Sequence, residues 1–374
     1  MHLKQGLVLY ESVKVMACFY FGLFAQATIH ARIEEQNAKT SSPQQQSDSA
    51  PRHVYKATSF STQVDGKTVT GKSLAEGLEL LNKLKCEPKF APKELNKTDV
   101  AYDLAFVTYS SSNHFNECRD AVATAQTLFP GHAIYFYDLG LSDAQKEELN
   151  TWCNVHYVYF NYSKYPEHVK ALGTYAFKPM IVQDMLNTRS NFFWVDASFR
   201  LLRSDLTGVY EMAKKNGGLV FFLAQPHITA LTNPLMYDYF PADQKRLRKV
   251  KSLGGGAFLR NTPEIYEKVL HWWFLCALVK DCIAPPGSKQ LCQNLLEGDL
   301  GAYKQCHRYD LSASNILAII HNDYDRTKAV AMPKDNCTPS PEIEGRTAEQ
   351  EKPRKKIRLK HPNLNENILY LHSF

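Results

Sequence analysis

Short apolar runs alternate with amphipathic stretches in the middle of the chain. Four runs have the length and composition of buried strands: LAFV, HAIYFYDLG, VHYVYF and FFWVDA. The stretches between them have apolar residues at helical spacing, and Ser142 is placed to cap one helix with Gln145 three residues on. This strand–helix series predicts an α/β fold with a mostly parallel sheet flanked by helices.

The end of the fourth predicted strand is the first place with candidate chemistry. Asp196 directly follows the apolar residues 192–195. Ligands of parallel sheets bind beyond the carboxyl ends of the strands, and burying a carboxylate without a partner is costly. We therefore expect Asp196 to face a ligand. The alternative is an Asp that bonds the backbone of its own turn.

Two later stretches also combine apolar strands or helices with candidate polar groups. Gly254–Gly256 precede an apolar run, where missing side chains let a ligand or another backbone come close, although a flexible turn explains them equally well. Asp310 opens a helix that carries Asn315, where it is expected to act as the N-cap, as a substrate-facing carboxylate or as both. The chain has no GxGxxG or Walker pattern, which disfavours a dinucleotide site and a P-loop.

The ends of the chain differ in composition from its middle. Residues 1–32 contain an uncharged segment, Val15–Ile29, which is typical of a signal peptide or a type II signal anchor. Residues 33–98 begin with a tract rich in Gln, Ser and Pro and predict a partly disordered stem with one short helix near Ser73–Leu84. We place the main domain at residues 99–330 and a C-terminal tail at 331–374.

Cysteines and glycosylation sequons both point to a luminal or extracellular location. The sequons predict glycosylation at Asn96, Asn161 and Asn336. Eight cysteines remain outside the apolar N-terminal segment, which predicts up to four disulfides, with buried free thiols as the alternative. The chain lacks a CxxC spacing, which disfavours a zinc or thioredoxin-type site.

The charge balance disfavours a nucleic-acid partner. The 44 Lys and Arg exceed the 38 Asp and Glu by only six over 374 residues. The basic run at residues 354–360 is the pattern of a nuclear signal or a solvated tail, and the membrane-targeting segment favours the tail.

Three motifs in order resemble those of the GT-A glycosyltransferases, in particular the glycogenin-like and bacterial galactosyltransferase-like group. They are WVDASFRLLRSDL, GGGAFLRNTPEIYEKVLHWW and DLSASN, and the resemblance covers roughly residues 100 to 325. The series FKP…WVDAS…HRYD is also similar to an uncharacterised domain family that is expanded in nematodes. The resemblance implies a GT-A-like fold, a nucleotide sugar as donor substrate and a glycan or glycoprotein as acceptor.

The resemblance also implies roles for individual residues. Asp196 lies at the leading Asp of the group's Asp-x-Asp, and Asp310 near the reacting centre, which makes these two the candidate catalytic residues. The implied donor-binding residues are Lys178, Asp196, Ser198, Arg200, Gly255, Gly256 and Asn315.

Ser198 departs from the group, which has its second Asp at this position. Mn²⁺ and Mg²⁺ prefer carboxylate and phosphate oxygens, so three outcomes stay open. Asp196 holds the divalent cation together with His321 or Asp323. Alternatively, the side chains of Lys178, Arg200 and Arg203 meet the diphosphate without a metal. In the third outcome the site is inactive.

The sequence therefore predicts a secretory-pathway glycosyltransferase that transfers a sugar from a nucleotide sugar to an acceptor hydroxyl. We expect a single-pass type II protein of the Golgi or ER membrane, or a secreted one. The alternative from another class is an inactive luminal or secreted carbohydrate-binding protein on the same fold. A nuclear protein that uses the basic tail is a third reading.

Overall fold

The computed structural model describes residues 56–91, 104–201, 204–215, 217–295 and 297–329. Apart from Lys56, all of these belong to one compact unit, Ala57–Phe374. Several predictions concern positions outside the described residues: the apolar segment at 15–29, the C-terminal tail, Asn96, Arg203, Asn336 and Cys337. The helices that the structure describes include none long and apolar enough to cross a membrane.

The described residues form eight strands and ten α-helices. The strands are β1 Ser59–Val64, β2 Lys67–Ser73, β3 Phe106–Ser110, β4 Ile134–Asp138, β5 Val155–Tyr159, β6 Asn191–Trp194, β7 Leu219–His227 and β8 Lys251–Arg260. The helices are α1 Ala75–Lys83, α2 Phe115–Leu128, α3 Asp143–Leu149, α4 Phe177–Leu186, α5 Thr207–Lys215, α6 Gln244–Leu247, α7 Pro263–Ile265, α8 His271–Leu278, α9 Lys280–Ile283 and α10 Asp310–His321. A π-helical turn, Tyr266–Leu270, joins α7 to α8.

The central sheet has six strands in the order β5-β4-β3-β6-β8-β7. β5, β4, β3 and β6 run parallel, whereas β8 is antiparallel to both β6 and β7. The predicted α/β fold with a mostly parallel sheet flanked by helices is confirmed. The chain moves outward from β3 to β5 and then returns to β6 on the other side of β3. The strand order reverses between β3 and β6, and such switch points are where open α/β sheets bind ligands.

The helix pattern of α2 shows how the sequence covers this sheet. Its buried residues include Cys118, Ala121, Val122 and Ala125, which recur at the spacing of one helix face. They belong to the same core cluster as the sheet residues Phe106, Phe136 and Phe193. The predicted cap of α3 is also confirmed, because Ser142 and Gln145 form a reciprocal capping box.

The first described residues fold differently from the predicted stem. β1 and β2 form an antiparallel hairpin, and α1 follows at the position of the helix predicted for Ser73–Leu84. Leu74, Leu78 and Leu81 are buried, and a Cβ at Gly77 would lie 2.6 Å from the carbonyl oxygen of Leu275 in α8. Residues 59–83 are therefore packed on the domain. The physical reason is that the leucine face of α1 needs an apolar partner surface.

Two disulfides close local loops of the domain. Cys276 in α8 is bonded to Cys282 in α9, and Cys292 is bonded to Cys306. In sequence, both bonds lie between β8, called the glycine strand because it contains Gly254–Gly256, and α10. The second bond restrains the segment that leads to Asp310. The structure thus gives the cysteine pairs of two of the up to four predicted disulfides.

Candidate active site

Polar side chains meet where the parallel strands end at the switch point. Tyr109 is the fourth residue of β3, and Asp196 lies two residues beyond the end of β6. Since β3 and β6 are adjacent and parallel, their carboxyl ends open at the same edge of the sheet. The hydroxyl of Tyr109 donates a hydrogen bond to Asp196 Oδ1 at 3.1 Å, so the two strand ends are joined by side chains.

Asp196 accepts hydrogen bonds from three side chains. Lys178 Nζ lies 2.9 Å from Oδ1 and 3.1 Å from Oδ2. The indole N–H of Trp194 donates to Oδ1 at 2.8 Å. Asp196 does begin a turn, because its carbonyl accepts from the N–H of Phe199, but the carboxylate bonds side chains and not its own turn. Of the two readings of Asp196, the geometry favours a carboxylate that organises a polar site.

Lys178 lies in the first turn of α4, and its ammonium reaches Asp196 just beyond the end of β6. Its ammonium lies over the rings of Tyr175, at 4.9 Å from the centroid, and Tyr109, at 5.4 Å. Burial is the largest single influence on Lys178 and lowers its pKa, but the charge and hydrogen bond of Asp196, together with the charges of Tyr109 and Asp310, outweigh it and raise the pKa well above its ordinary value. The site therefore contains a buried lysine that stays charged, held by Asp196 and two aromatic faces.

Asp310 is the second carboxylate of the site and opens α10. Burial raises its pKa to about 7, the charge of Lys178 opposes this rise, and the charge of Asp196 adds to it. Asp310 lines a cavity of about 50 Å³ whose other charged lining residue is Lys178. A carboxyl group that titrates near neutral pH is suited to accept or donate a proton.

His307 fixes the segment that presents Asp310. The backbone N–H of Asn233 donates to His307 Nδ1 at 3.1 Å, and His307 Nε2 donates to the carbonyl of Ile283 at 3.2 Å. Burial lowers the pKa of His307 to about 4, so the ring is neutral at pH 7. The HRYD stretch is thus locked from one end by an uncharged histidine.

The backbone beside the site is strained at two non-glycine residues. Tyr309, directly before Asp310, has φ 46° and ψ −112°, and Tyr175 has φ 53°. Conformations of this kind cost about 1–3 kcal/mol each and cluster at functional sites. Here they set the entry of α10 and place the Tyr175 ring under Lys178.

The glycine strand forms another wall of the site. Gly254 lines the cavity, and Ala257 is paired in register with Trp194 of β6. Gly255 and Gly256 lie between them in β8. Asn315 of α10 reaches this strand, because its Oδ1 accepts the N–H of Leu253 at 2.6 Å. The structure thus uses the buried Asn315 side chain to hold β8 where the β7–β8 register shifts.

Two further predicted donor-binding residues, Ser198 and Arg200, lie in or beside the turn that follows Asp196. Arg200 donates to the carbonyls of Ala197 and Phe199 at 2.8 and 2.7 Å, and it also pairs with Asp120. Ser198 lies half-buried in the turn after Asp196. Asn161 accepts from the N–H and hydroxyl of Ser163, and its glycosylation stays a prediction.

The predicted metal ligands do not form a donor set. His321 ends the twelve-residue helix that Asp310 begins, which separates their Cα atoms by roughly 16 Å. Asp323 is paired with Arg246 at 2.9 Å. Within the described ranges, no group of three His, Cys, Asp or Glu side chains is arranged to hold a metal. Because Lys178, Trp194 and Tyr109 already occupy the Asp196 carboxylate, these residues do not fit a hard-cation site.

Three residues of the site were not predicted from the sequence. Tyr109 and Trp194 bond Asp196, and the indole N–H of Trp273 donates to the Asp310 carbonyl at 3.0 Å. Each lies in an apolar run, where an aromatic residue reads as core. Their position at or next to a strand end was the one available signal for Tyr109 and Trp194.

The comparisons with known proteins give a family of unknown function and a set of weak fold similarities. A family model described as "Protein of unknown function (DUF1647)" matches residues 53–183. The matched segment contains Tyr109 and Lys178 and ends before Asp196 and Asp310. No curated protein matches the chain in sequence.

The solved structures to which the chain is similar include three glycosyltransferases. The galactosyltransferase LgtC, in complex with donor and acceptor sugar analogs, is 12% identical with a TM-score of 0.28 over 45% of this chain; the chain spans 63% of LgtC. The mannosyltransferase Ktr4p from S. cerevisiae, in complex with GDP, is 9% identical with a TM-score of 0.35, covering 68% and 77% of the two chains. Mouse xyloside xylosyltransferase 1 is 9% identical with a TM-score of 0.34, covering 61% and 84%. At these TM-scores the similarity assigns no activity to this chain.

Proposed function

We propose that this chain is a glycosyltransferase whose active site contains Lys178, Asp196 and Asp310. The observation that carries the proposal is a buried, charged lysine grouped with two carboxylates at the switch point of a mostly parallel sheet. Buried charges are costly unless function or pairing retains them, and switch points are the ligand sites of such sheets. The order of the WVDAS, GGGAFLRN and HRYD stretches supports the same reading.

The three side chains divide the proposed chemistry between them. Asp196 positions Lys178, whose ammonium stabilises the negative charge that develops on the departing nucleoside diphosphate. The anomeric carbon of the sugar loses its bond to the diphosphate oxygen, which leaves with the electron pair, and gains a bond to the acceptor oxygen. Asp310 accepts the acceptor's hydroxyl proton in an inverting reaction, or stabilises positive charge in a retaining one.

Donor binding requires a change in the cavity beside Lys178. Its volume of about 50 Å³ is far below the roughly 300–1,000 Å³ of typical ligand pockets. The nucleotide sugar therefore lies along the carboxyl edge of the sheet, and the side chains lining the cavity move to admit the reacting groups. The π-helical turn Tyr266–Leu270 is a candidate for this movement, because it supplies two lining residues and π-turns are frequent at functional sites.

A location in the secretory pathway, at the Golgi or ER membrane or outside the cell, belongs to the same proposal. The two disulfides support it, because disulfides persist in oxidising compartments. The membrane segment and the glycan acceptor rest on the sequence alone.

The reaction is tested by incubating the full chain with a panel of nucleotide sugars and measuring release of nucleoside diphosphate, with and without Mn²⁺. We expect at least one donor to be consumed, at a rate that rises as the pH passes through about 7, where Asp310 ionises. Asp310→Asn should lose about a hundredfold or more of this rate. Asp323 is exposed, and Asp323→Asn is the matched control, which should keep the wild-type rate of donor consumption. Binding of glycans without consumption of any donor would instead support the inactive carbohydrate-binding protein.

A further inference from the structure

A second, basic pocket lies apart from the candidate active site. It has a volume of about 480 Å³ and is lined by five cationic residues: Lys245, Arg246, Lys249, Lys251 and Arg326. Within the part of the chain that the structure describes, its lining contains no Asp or Glu, and it shares no lining residue with the cavity beside Lys178. The proposed function makes no use of this pocket.

The local fold directs the cations of residues 245–251 to one surface. Leu247 and Val250 are buried, while Lys245 and Lys249 are exposed. Asp243 caps the short helix α6 by accepting the N–H groups of Lys245 and Arg246. Like charges held this close repel one another, so a persistent basic surface of this kind indicates an anionic partner.

One nearby carboxylate compensates one of the five cations, and a second is engaged outside the pocket, so most of the positive charge stays uncompensated. Asp323 pairs with Arg246, whose guanidinium also lies 4.3 Å from the centroid of the Tyr324 ring. Asp325 accepts the N–H and the hydroxyl of Thr327.

Arg326 supplies a second, independent observation. Its Nε–H is buried and has no acceptor among the described residues. Burial also lowers the pKa of Arg326, which means that its charge is partly removed from water. A buried donor without a partner costs about 1–3 kcal/mol, and a shift of the Arg326 side chain toward an oxyanion in the pocket would offset this cost.

We propose that the basic pocket binds a small ligand that carries at least two phosphate or sulfate groups. Five cations match several negative charges, and a guanidinium with lysines around it is suited to phosphate and sulfate oxygens. The volume accommodates a diphosphate or a sulfated sugar unit. Free phosphates and sulfated glycans share this chemistry, so the experiment has to separate them.

Calorimetric titration of the full chain with inorganic pyrophosphate, a disulfated disaccharide and the same disaccharide without sulfates tests the proposal. We expect one or both of the anionic probes to bind and the uncharged sugar not to bind, and the tighter probe identifies the source. Arg326→Gln and the double variant Lys245→Gln/Lys249→Gln should each weaken binding by about tenfold. Affinity should also fall as salt is raised.

The matched control is Lys67→Gln/Lys214→Gln, which removes two positive charges from exposed positions outside the pocket. Equal weakening in this control, or no binding of either anion, overturns the proposal. If Arg326→Gln does not fold, the double variant Lys245→Gln/Lys249→Gln tests the proposal in its place. Pyrophosphate is also a ligand for Lys178 in the proposed active site, so the site is assigned by the loss in the pocket variants and not by binding to the wild type alone.

Discussion

The charge count around Lys178 explains the behaviour of Asp310. Lys178 and Asp196 together are neutral, and a second ionised carboxylate would leave a buried site with a net negative charge. Asp310 is 6% exposed, so water does little to stabilise that charge. Proton binding by Asp310 near neutral pH follows from this imbalance.

The raised pKa of Asp310 predicts a pH-dependent stability. Between its ordinary pKa of 3.8 and the folded value of about 7, the folded state holds a proton that the unfolded state has lost. The free energy of unfolding of the wild type therefore falls as pH rises through this window, by up to about 1.4 kcal/mol per pH unit. Asp310→Asn has no carboxyl group to titrate at this position, so its unfolding free energy lacks this pH dependence. Urea unfolding should show a larger advantage of the variant over the wild type at pH 8 than at pH 5, and an equal difference at both pH values would contradict the account.

The Lys178–Asp196 pair predicts a non-additive pair of substitutions. Lys178→Met leaves a buried carboxylate without its cation and should cost about 3–5 kcal/mol of unfolding free energy. Adding Asp196→Asn removes the uncompensated charge while keeping an oxygen for the Trp194 and Tyr109 donors. We expect the double variant to be more stable than Lys178→Met alone in denaturant titrations. Additive losses would show that the pair is not coupled.

At the scale of single elements, the contact between α1 and α8 is set by the absence of a side chain. A Cβ at Gly77 would lie 2.6 Å from the Leu275 carbonyl oxygen and 3.1 Å from a methyl group of Val279. The backbones of the two helices approach each other this closely because position 77 is glycine.

Gly77→Ala should therefore destabilise the protein although alanine is the better helix former. Propensity alone favours alanine by about 1 kcal/mol, and the clash with a backbone atom reverses the sign. Gly208→Ala in α5 is the matched control, because a Cβ there meets nothing within 4 Å. Thermal unfolding should show a lower Tm for Gly77→Ala and an unchanged or higher Tm for Gly208→Ala. A stabilised Gly77→Ala variant would refute the packing of α1 on α8.

The order of strands and helices can be predicted from the sequence, whereas the hydrogen-bond partners of the polar side chains cannot. Asp196, Lys178 and Asp310 lie in three separate stretches of the sequence, and the rule that ligands bind beyond strand ends predicts Asp196 at the edge where the three meet. The sequence also suggests Asn315 as a site residue, yet its side chain bonds the N–H of Leu253, because an irregular register in β7–β8 leaves that group to be satisfied. Spacing along one helix cannot reveal such a need in a distant strand.

At the scale of the whole molecule, the domain is larger at its N-terminal side than composition suggests. The tract rich in Gln, Ser and Pro ends near residue 52, and the polar strand β2 has the burial pattern of an exposed hairpin. The hairpin is nevertheless held to the domain, by the ion pair of Lys72 with Asp238 and by the close approach of Gly71 to Tyr239. Contacts made 166 residues away in the chain have no local signature.

The role of Lys178 in binding a nucleotide sugar is tested most directly by a calorimetric titration of nucleotide sugars into the wild type and into the variant Lys178→Met/Asp196→Asn. The double variant removes the cation without leaving an unpaired buried carboxylate, so its fold is expected to persist and can be checked by circular dichroism. We expect the wild type to bind at least one nucleotide sugar and the variant to bind it about tenfold or more weakly, since a charge-assisted contact to the diphosphate is lost. Failure of the wild type to bind any nucleotide sugar, or equal binding by the folded variant, would contradict this expectation.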